Sequence, residues 1–526
     1  MWWVALAWAQ PLVLPAAPGE GAPSALVVHG PAQALGQVDY CLSCHPGAVG
    51  HGVESAHGQA SLNNPWYLSA FVALRADVGA EASQHCGGCH DPVLLATGAL
   101  KGSVGPQTEG ADLGVSCLSC HGGVAASPDG NASLVIDLRD LPDPVVEVAD
   151  HRERMRPDVL LDGSLCQGCH RGVLLPAMGA PHVAMGIDDW GSWLGSAWAG
   201  TEVLRLDPDP PRATCVDCHT AGTGGGRTSL DPDHRLDEAL TLTVPAAWVD
   251  GVPQALDDGW LDAPTGAEVV VEAVVWNTGA GHDVPGGLAD IQDLALLLQV
   301  EDPSGRWTAR GPTLRSLPLD TDGLPVRDHQ AHRIALSAFD HTVPPGEAQV
   351  LRVAFQAVGG STRVGAELWH RPHREALADA ACAVTGPFTL DGCAPSPLTR
   401  LSTADAHGAE AMYALALGRA RGTSEDLAGA LWALDSAERR GLDPDRAAVL
   451  RARVLGRQGR VDDALAVLEG RPDHPAVHAA RGRALMAVWR FEEAVEAWEA
   501  VVEAAPRSVE AWASLARSRG SIGDDT

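Results

Sequence analysis

Ten of the twelve cysteines fall into five copies of one pattern, C-x-x-C-H. The copies are Cys41, Cys44 and His45; Cys86, Cys89 and His90; Cys117, Cys120 and His121; Cys166, Cys169 and His170; and Cys215, Cys218 and His219. Two cysteines three apart on a helical turn present both sulfurs to one side, and the next residue adds an imidazole beside them. That arrangement forms two thioethers to the vinyl groups of a haem while the histidine takes its iron. Zinc sites and thiol redox sites also use C-x-x-C pairs, but neither accounts for five adjacent histidines. Zinc would take the pairs in fours and leave one over, and a redox motif would occur once in a β-α-β setting. The pattern therefore predicts five covalently attached c-type haems, with these cysteines and histidines as the cofactor-binding set.

Successive motifs begin 45, 31, 49 and 49 residues apart. So little chain per cofactor makes the porphyrins a large part of the core and sets the haems close enough to pass electrons. Function then turns on the sixth iron position, where His or Met gives a low-spin carrier and a vacancy gives a site for chemistry. Sixteen histidines lie outside the motifs. His57 in ESAHGQAS, His151 in ADHRERM, His234 in DPDHRLDEA and His282 in NTGAGHDVPGG are the leading distal candidates. His29, His51, His85 and His182 form a second tier, and Met178 and Met185 a third; each also has an ordinary reading as a surface or core residue. His474 and His478 fall in a later helical region and are expected to face solvent.

Covalent haem is attached on the outer side of the cytoplasmic membrane, so the motifs predict a periplasmic or otherwise exported protein. Residues 1–25, opening MWWVALAWAQPLVLPAA, read as an export signal with a small-residue site at Ala7-Trp8-Ala9, although no basic residue precedes it and the first is Arg75. No apolar run reaches the roughly 20 residues of a membrane-spanning helix. Lys and Arg number 37 against 67 Asp and Glu, and a net charge of −30 repels nucleic acid.

At roughly 150 residues per domain, 526 residues imply three or four units. The expected order is a haem-packed, mainly α and loop cytochrome region over 38–250, a small β-sandwich over 260–400, and an α-solenoid over 405–526. The sandwich is read from β-branched runs such as EVVVEAVVWN and DLALLLQVEDPSG between Gly, Pro and Asp turns. Cys382 and Cys393 lie outside every haem motif and read as a loop disulfide. In the last region small residues recur at Gly418, Ala452, Gly482 and Ala516, spaced 34, 30 and 34, with Ala430, Ala464 and Ala494 in parallel. With Trp498 and Pro506 this is similar to tetratricopeptide repeats, which would dock a redox partner or cap the cytochrome region.

Ser55-Ala56-His57 after the first motif, CHDPV from Cys89 to Val93, GVSCLSCHGG from Gly114 to Gly123, and Trp193 with Ser196 before CVDCHT carry a family likeness. Over about 38–380 the chain resembles multihaem cytochromes c related to the tetrahaem cytochrome c of ammonia oxidisers, and more remotely hydroxylamine oxidoreductase. NTGAGHDVPGG is similar to the N-x-x-x-G-H-x-x-P-T-G segment of such proteins, which implies a haem-ligand role for His282; His57 and His234 match positions of distal ligands. Gly286-Gly287 departs from the Thr-Gly of that segment. There is no C-x-x-C-K, and none of Tyr40, Tyr67 and Tyr413 is placed as a haem crosslink. The resemblance implies an electron carrier serving redox partner proteins, with a reductase or oxidase of a small nitrogen or sulfur compound at an open haem as the alternative.

Overall fold

The computed structural model describes residues 25–207, 209–219, 232–326, 328–386 and 393–523. The expected export segment, apart from Ala25, lies outside them. Up to His219 the elements are short, because Gly and Pro recur and each motif makes a single turn: Asp39–Leu42, Gln84–Gly88, Cys117–His121, Ser164–Gly168 and Cys215–His219. The long exception is helix α1 (Pro65–Ser83), which delivers the chain to the second motif. Asn64 starts it by accepting from the amides of Trp66 and Tyr67, with Pro65 in the first turn. Its helical path is interrupted at Gly79, φ +84°, a conformation that suits a residue without Cβ.

The strand-rich unit begins at β1 (Leu240–Val249), earlier than the expected 260. Pro245 hides this strand in the sequence, and the fold accommodates it with a register shift between Thr243 and Ala246. The following elements are β2 (Val252–Ala255), β3 (Trp260–Ala263), β4 (Glu268–Asn277), β5 (Asp293–Asp302), β6 (Gly305–Leu314), β7 (Ser316–Leu319), β8 (Leu336–Asp340), β9 (Ala348–Gln356), β10 (Gly360–Arg371), helix α2 (Glu375–Thr385) and β11 (Thr399–Arg400). One sheet runs β9-β4-β1-β2 and the other β6-β5-β10-β11, with β3 also on β10; β7 and β8 form a separate pair. The two sheets share a core in which Val269, Val271 and Val275 meet Leu294, Leu296 and Leu298. Cys382 on α2 is joined to Cys393, their Cα atoms 5.5 Å apart.

Strand β4 is apolar on both sides for a reason that its period of two makes plain. Its odd residues face the sandwich core, and Val274 and Trp276 face the helices that follow. Those helices are α3 (Gly408–Arg419), α4 (Ser424–Arg439), α5 (Pro444–Arg457), α6 (Val461–Ala466), α7 (Pro475–Ala487), α8 (Phe491–Ala504) and α9 (Val509–Ile522), each packed on its predecessor. Thr423 and Asp426 form a capping box on α4, and Asp443 and Ser508 cap α5 and α9. At Gly482 an added Cβ would stand 2.7 Å from the buried Trp498 indole, so the small residue is what lets α7 and α8 close.

The first of these helices is fixed to the sandwich by a buried charge cluster. Glu272 on β4 is fully buried and accepts from Arg419 of α3 at 2.6 and 3.0 Å, from Arg352 at 2.8 Å and from the Trp248 indole at 3.0 Å. A strap of the cytochrome region reaches the same helices: Leu204 packs in the α7–α9 core, Glu202 accepts from the Arg507 amide at 2.9 Å, and Asp207 pairs with Arg446 at 2.7 Å. Among the described residues no helix is long and apolar enough to cross a membrane.

Candidate functional site

Three of the motif histidines show which ring nitrogen they keep free. His90 donates from Nδ1 to the Ala60 carbonyl at 3.0 Å, His121 to the Met155 carbonyl at 2.6 Å, and His170 to the Asp189 carboxylate at 3.4 Å. With Nδ1 committed to an acceptor, each imidazole keeps its lone pair on Nε2, where a metal is taken.

The second motif has the most elaborate surroundings. The His90 ring lies flat against Tyr67 of α1, centroids 4.2 Å apart and planes 8° apart. Tyr67 donates to Asp91 at 2.5 Å, and Ser61 donates to the other carboxylate oxygen. Burial pushes the Asp91 carboxyl up to about 6, with the Ser61 and Tyr67 hydrogen bonds opposing the rise. The His90 imidazole is pushed below its usual range, first by burial and further by the charge of His329 nearby.

Two motif histidines face a second imidazole. His170 and His57 have ring centroids 6.3 Å apart with planes at 82°. His219 and His282 have centroids 6.1 Å apart with planes at 17°. His57 is held by its own carbonyl, which accepts from the Val115 amide at 2.8 Å. Gly114 permits this approach, since at its φ of +51° a Cβ would stand 2.2 Å from the His57 oxygen. His282 donates from Nδ1 to the Asp283 carbonyl at 2.9 Å, and Asn277 donates to the His282 carbonyl at 2.9 Å. At Gly286 a Cβ would lie 2.8 Å from the His282 ring, which gives a steric reason for glycine where the similar segment has threonine. Burial pushes the His57 imidazole down to about 4, helped by the neighbouring His170 and His219. Burial alone would raise Asp189, but the His170 hydrogen bond and the nearby His282 bring it below the usual carboxylate range.

The motifs also lie near one another through their sulfurs. Cys41 and Cys117, Cys89 and Cys169, and Cys166 and Cys215 are close enough that each perturbs the ionisation of the other. Cys120 lies within electrostatic reach of Cys166 and Cys169. The fourth motif thus adjoins the second, third and fifth, and the third adjoins the first.

The remaining candidates separate clearly. His151 donates from Nδ1 to the Tyr40 hydroxyl at 3.1 Å, while that hydroxyl donates to the Pro142 carbonyl at 2.8 Å, so its Nε2 is free. His234 falls in the helix Pro232–Ala239, with its side chain outside the described residues. His29, His51 and His182 are exposed. His85 and Met178 line a small cavity with Cys86 and His332. His474, expected to face solvent, instead caps α7, its Nδ1 accepting from the Ala476 amide at 3.1 Å. His329, which no sequence signal singled out, donates from Nδ1 to Asp290 at 2.8 Å.

Residues 40–122, which span the first three motifs, match the family model for cytochrome c554 and c-prime. No curated protein and no solved structure matches the chain. The match supports a c-type cytochrome, whose cofactor is covalently bound haem c and whose chemistry is electron transfer. The residues fit that group. Two imidazoles sharing one metal through Nε2, at about 2 Å for each metal–nitrogen bond and about 1 Å from nitrogen to ring centre, would have ring centres about 6 Å apart, the spacing of the His57–His170 and His219–His282 pairs.

Proposed function

We propose that the chain is an exported pentahaem c-type cytochrome that relays electrons between redox partner proteins. Its fourth haem is the branch point of the relay. Each C-x-x-C-H would hold one haem through its two sulfurs and supply one axial nitrogen, and the iron supplies reversible one-electron chemistry. His57 serves as the distal ligand opposite His170 and His282 as the one opposite His219; His151 and His234 are further distal candidates. The observation that carries this reading is the spacing of the two opposed imidazole pairs. The nearness of the sulfurs supports the order: porphyrins tethered at neighbouring cysteines have neighbouring edges, and short edge separations are what make transfer fast.

The chain's own groups tune this relay. Asp189, ionised beside His170, strengthens electron donation from that imidazole and favours the ferric state of the fourth haem. Helices α3–α9 are the docking surface for a partner, as their likeness to tetratricopeptide repeats suggests.

The test is haem quantification together with low-temperature electron paramagnetic resonance on the oxidised protein. The expected result is five haems per chain. Nearly perpendicular imidazole planes leave two iron d orbitals close in energy, so the His57–His170 haem should give a strongly anisotropic low-spin signal. The nearly parallel His219–His282 pair should give an ordinary rhombic one. Fewer than five haems would sink the pentahaem reading, and a persistent high-spin signal from the fourth or fifth would sink its ligand assignment and favour chemistry at an open iron.

A further inference from the structure

The second motif has its motif histidine, a stacked tyrosine and a buried carboxylate close together. The strand-rich unit reaches toward it through α1. Residues 328–333 lie in the crossing between β7 and β8, and this loop is fixed to α1 by His332, which donates from Nε2 to Asp77 at 2.9 Å. On the same helix Trp66 stacks on His373, centroids 3.8 Å apart, while Tyr67 stacks on His90. The helix that presses on His90 is therefore the one that the sandwich grips.

We propose that His329 is the sixth ligand of the haem held by Cys86, Cys89 and His90, supplied to it by the sandwich. The inference rests on the reading of the second motif as a haem site. Four observations carry it. His329 commits Nδ1 to Asp290 at 2.8 Å, and Asp290 is itself buried, so Nε2 keeps the lone pair as in His90, His121 and His170. Its backbone stands at φ +52°, a conformation that few L residues adopt. Ala331 and His332 of the same loop line a small cavity with Cys86, which sets the loop against the second motif. Asp290 belongs to the β4–β5 connection that also carries His282, so one sandwich loop would set distal ligands for both the second and the fifth haems. The carboxylate on Nδ1 makes His329 a stronger electron donor than an imidazole bonded to a carbonyl, as His282 is.

The experiment uses the full-length haem-loaded protein and His329→Ala. The expected result is an unchanged haem count, loss of one low-spin signal, gain of one high-spin signal, and return to low spin on adding imidazole. His332→Ala is the control in the same loop, where Nδ1 is buried without a partner. It should leave every iron low-spin, and a conversion by His332→Ala in place of His329→Ala overturns the assignment. So does a His329→Ala protein with every iron still low-spin, or a wild-type protein whose second haem is already high-spin. If His329→Ala does not fold, His329→Met keeps a ligand in place. Its second haem should stay low-spin with a raised reduction potential, and unchanged potentials overturn the proposal. Replacing Cys86 and Cys89 with alanine separates the two failures: a variant that loses no haem would sink the haem-site reading itself.

Discussion

Around β4 the apolar side chains of 27 buried residues meet in one continuous core, whereas the stretch before His219 gathers its buried apolar residues in clusters of which the two largest hold six each. The strand-rich and helical units supply their own interior from sequence. The motif-bearing stretch, on the proposed reading, borrows its interior from porphyrins. At about 25 cal/mol per Å² of apolar burial against an ordering cost of about 1–2 kcal/mol per residue, clusters of that size do not hold a chain of such length in one conformation. A second core needs no cofactor; a region without one follows its cofactor in folding.

The strongest way to break this contrast is to remove attachment. With the ten motif cysteines replaced by alanine, proteases should cut within 25–219 on the order of 10³-fold faster, while a fragment containing 240–523 survives. Mass spectrometry of the digest reads the outcome, and equal resistance of both regions would show that the motif stretch stabilises itself. Next in size is the seam between sandwich and helices. Glu272→Ala leaves Arg419 buried without its carboxylate and should cost about 3–5 kcal/mol in denaturant unfolding, with the haem absorption spectrum unchanged.

A smaller effect sharpens the contrast where the two regions meet. Burial against Trp66 pushes the His373 imidazole down to about 4. Between the unfolded value near 6.5 and that folded value, the unfolded chain binds a proton that the folded chain does not, so stability falls as pH falls through this window. The loss is at most about 1.4 kcal/mol per pH unit and flattens below pH 4. His373→Gln should remove that dependence in pH-resolved thermal unfolding. Smallest is Trp489→Ala. This indole is 76% exposed, and its loss should change stability by under about 0.5 kcal/mol. On the docking reading, reduction of a partner protein would slow all the same, a split that stopped-flow kinetics would register.

What the sequence makes legible follows from how local each signal is. The C-x-x-C-H motifs are covalent chemistry written within five residues, and the β-branched runs carry their strand period with them. His57 and His282 were both marked as candidates, yet their partners are set by tertiary path. His57 follows the first motif closely and faces the histidine of the fourth. His329 left no mark because RDHQAH resembles any polar turn; only Asp290, brought to it from another loop, distinguishes it. The start of the sandwich was obscured by Pro245 within β1, which a sheet tolerates beside a bulge. Burial of β4 on both faces could not be read either, since a continuous apolar run looks the same whatever covers its second side.

The strap from Glu202 to Asp207 has a consequence for traffic through the molecule. It is pinned to the far helices at Arg507 and Arg446 and leads within a few residues into the fifth motif. On the docking reading, a protein seated on those helices would meet the relay beside the fifth motif. Whatever direction the current took, the fifth haem would be one terminal of the proposed relay, and its traffic with the other haems would pass through the fourth.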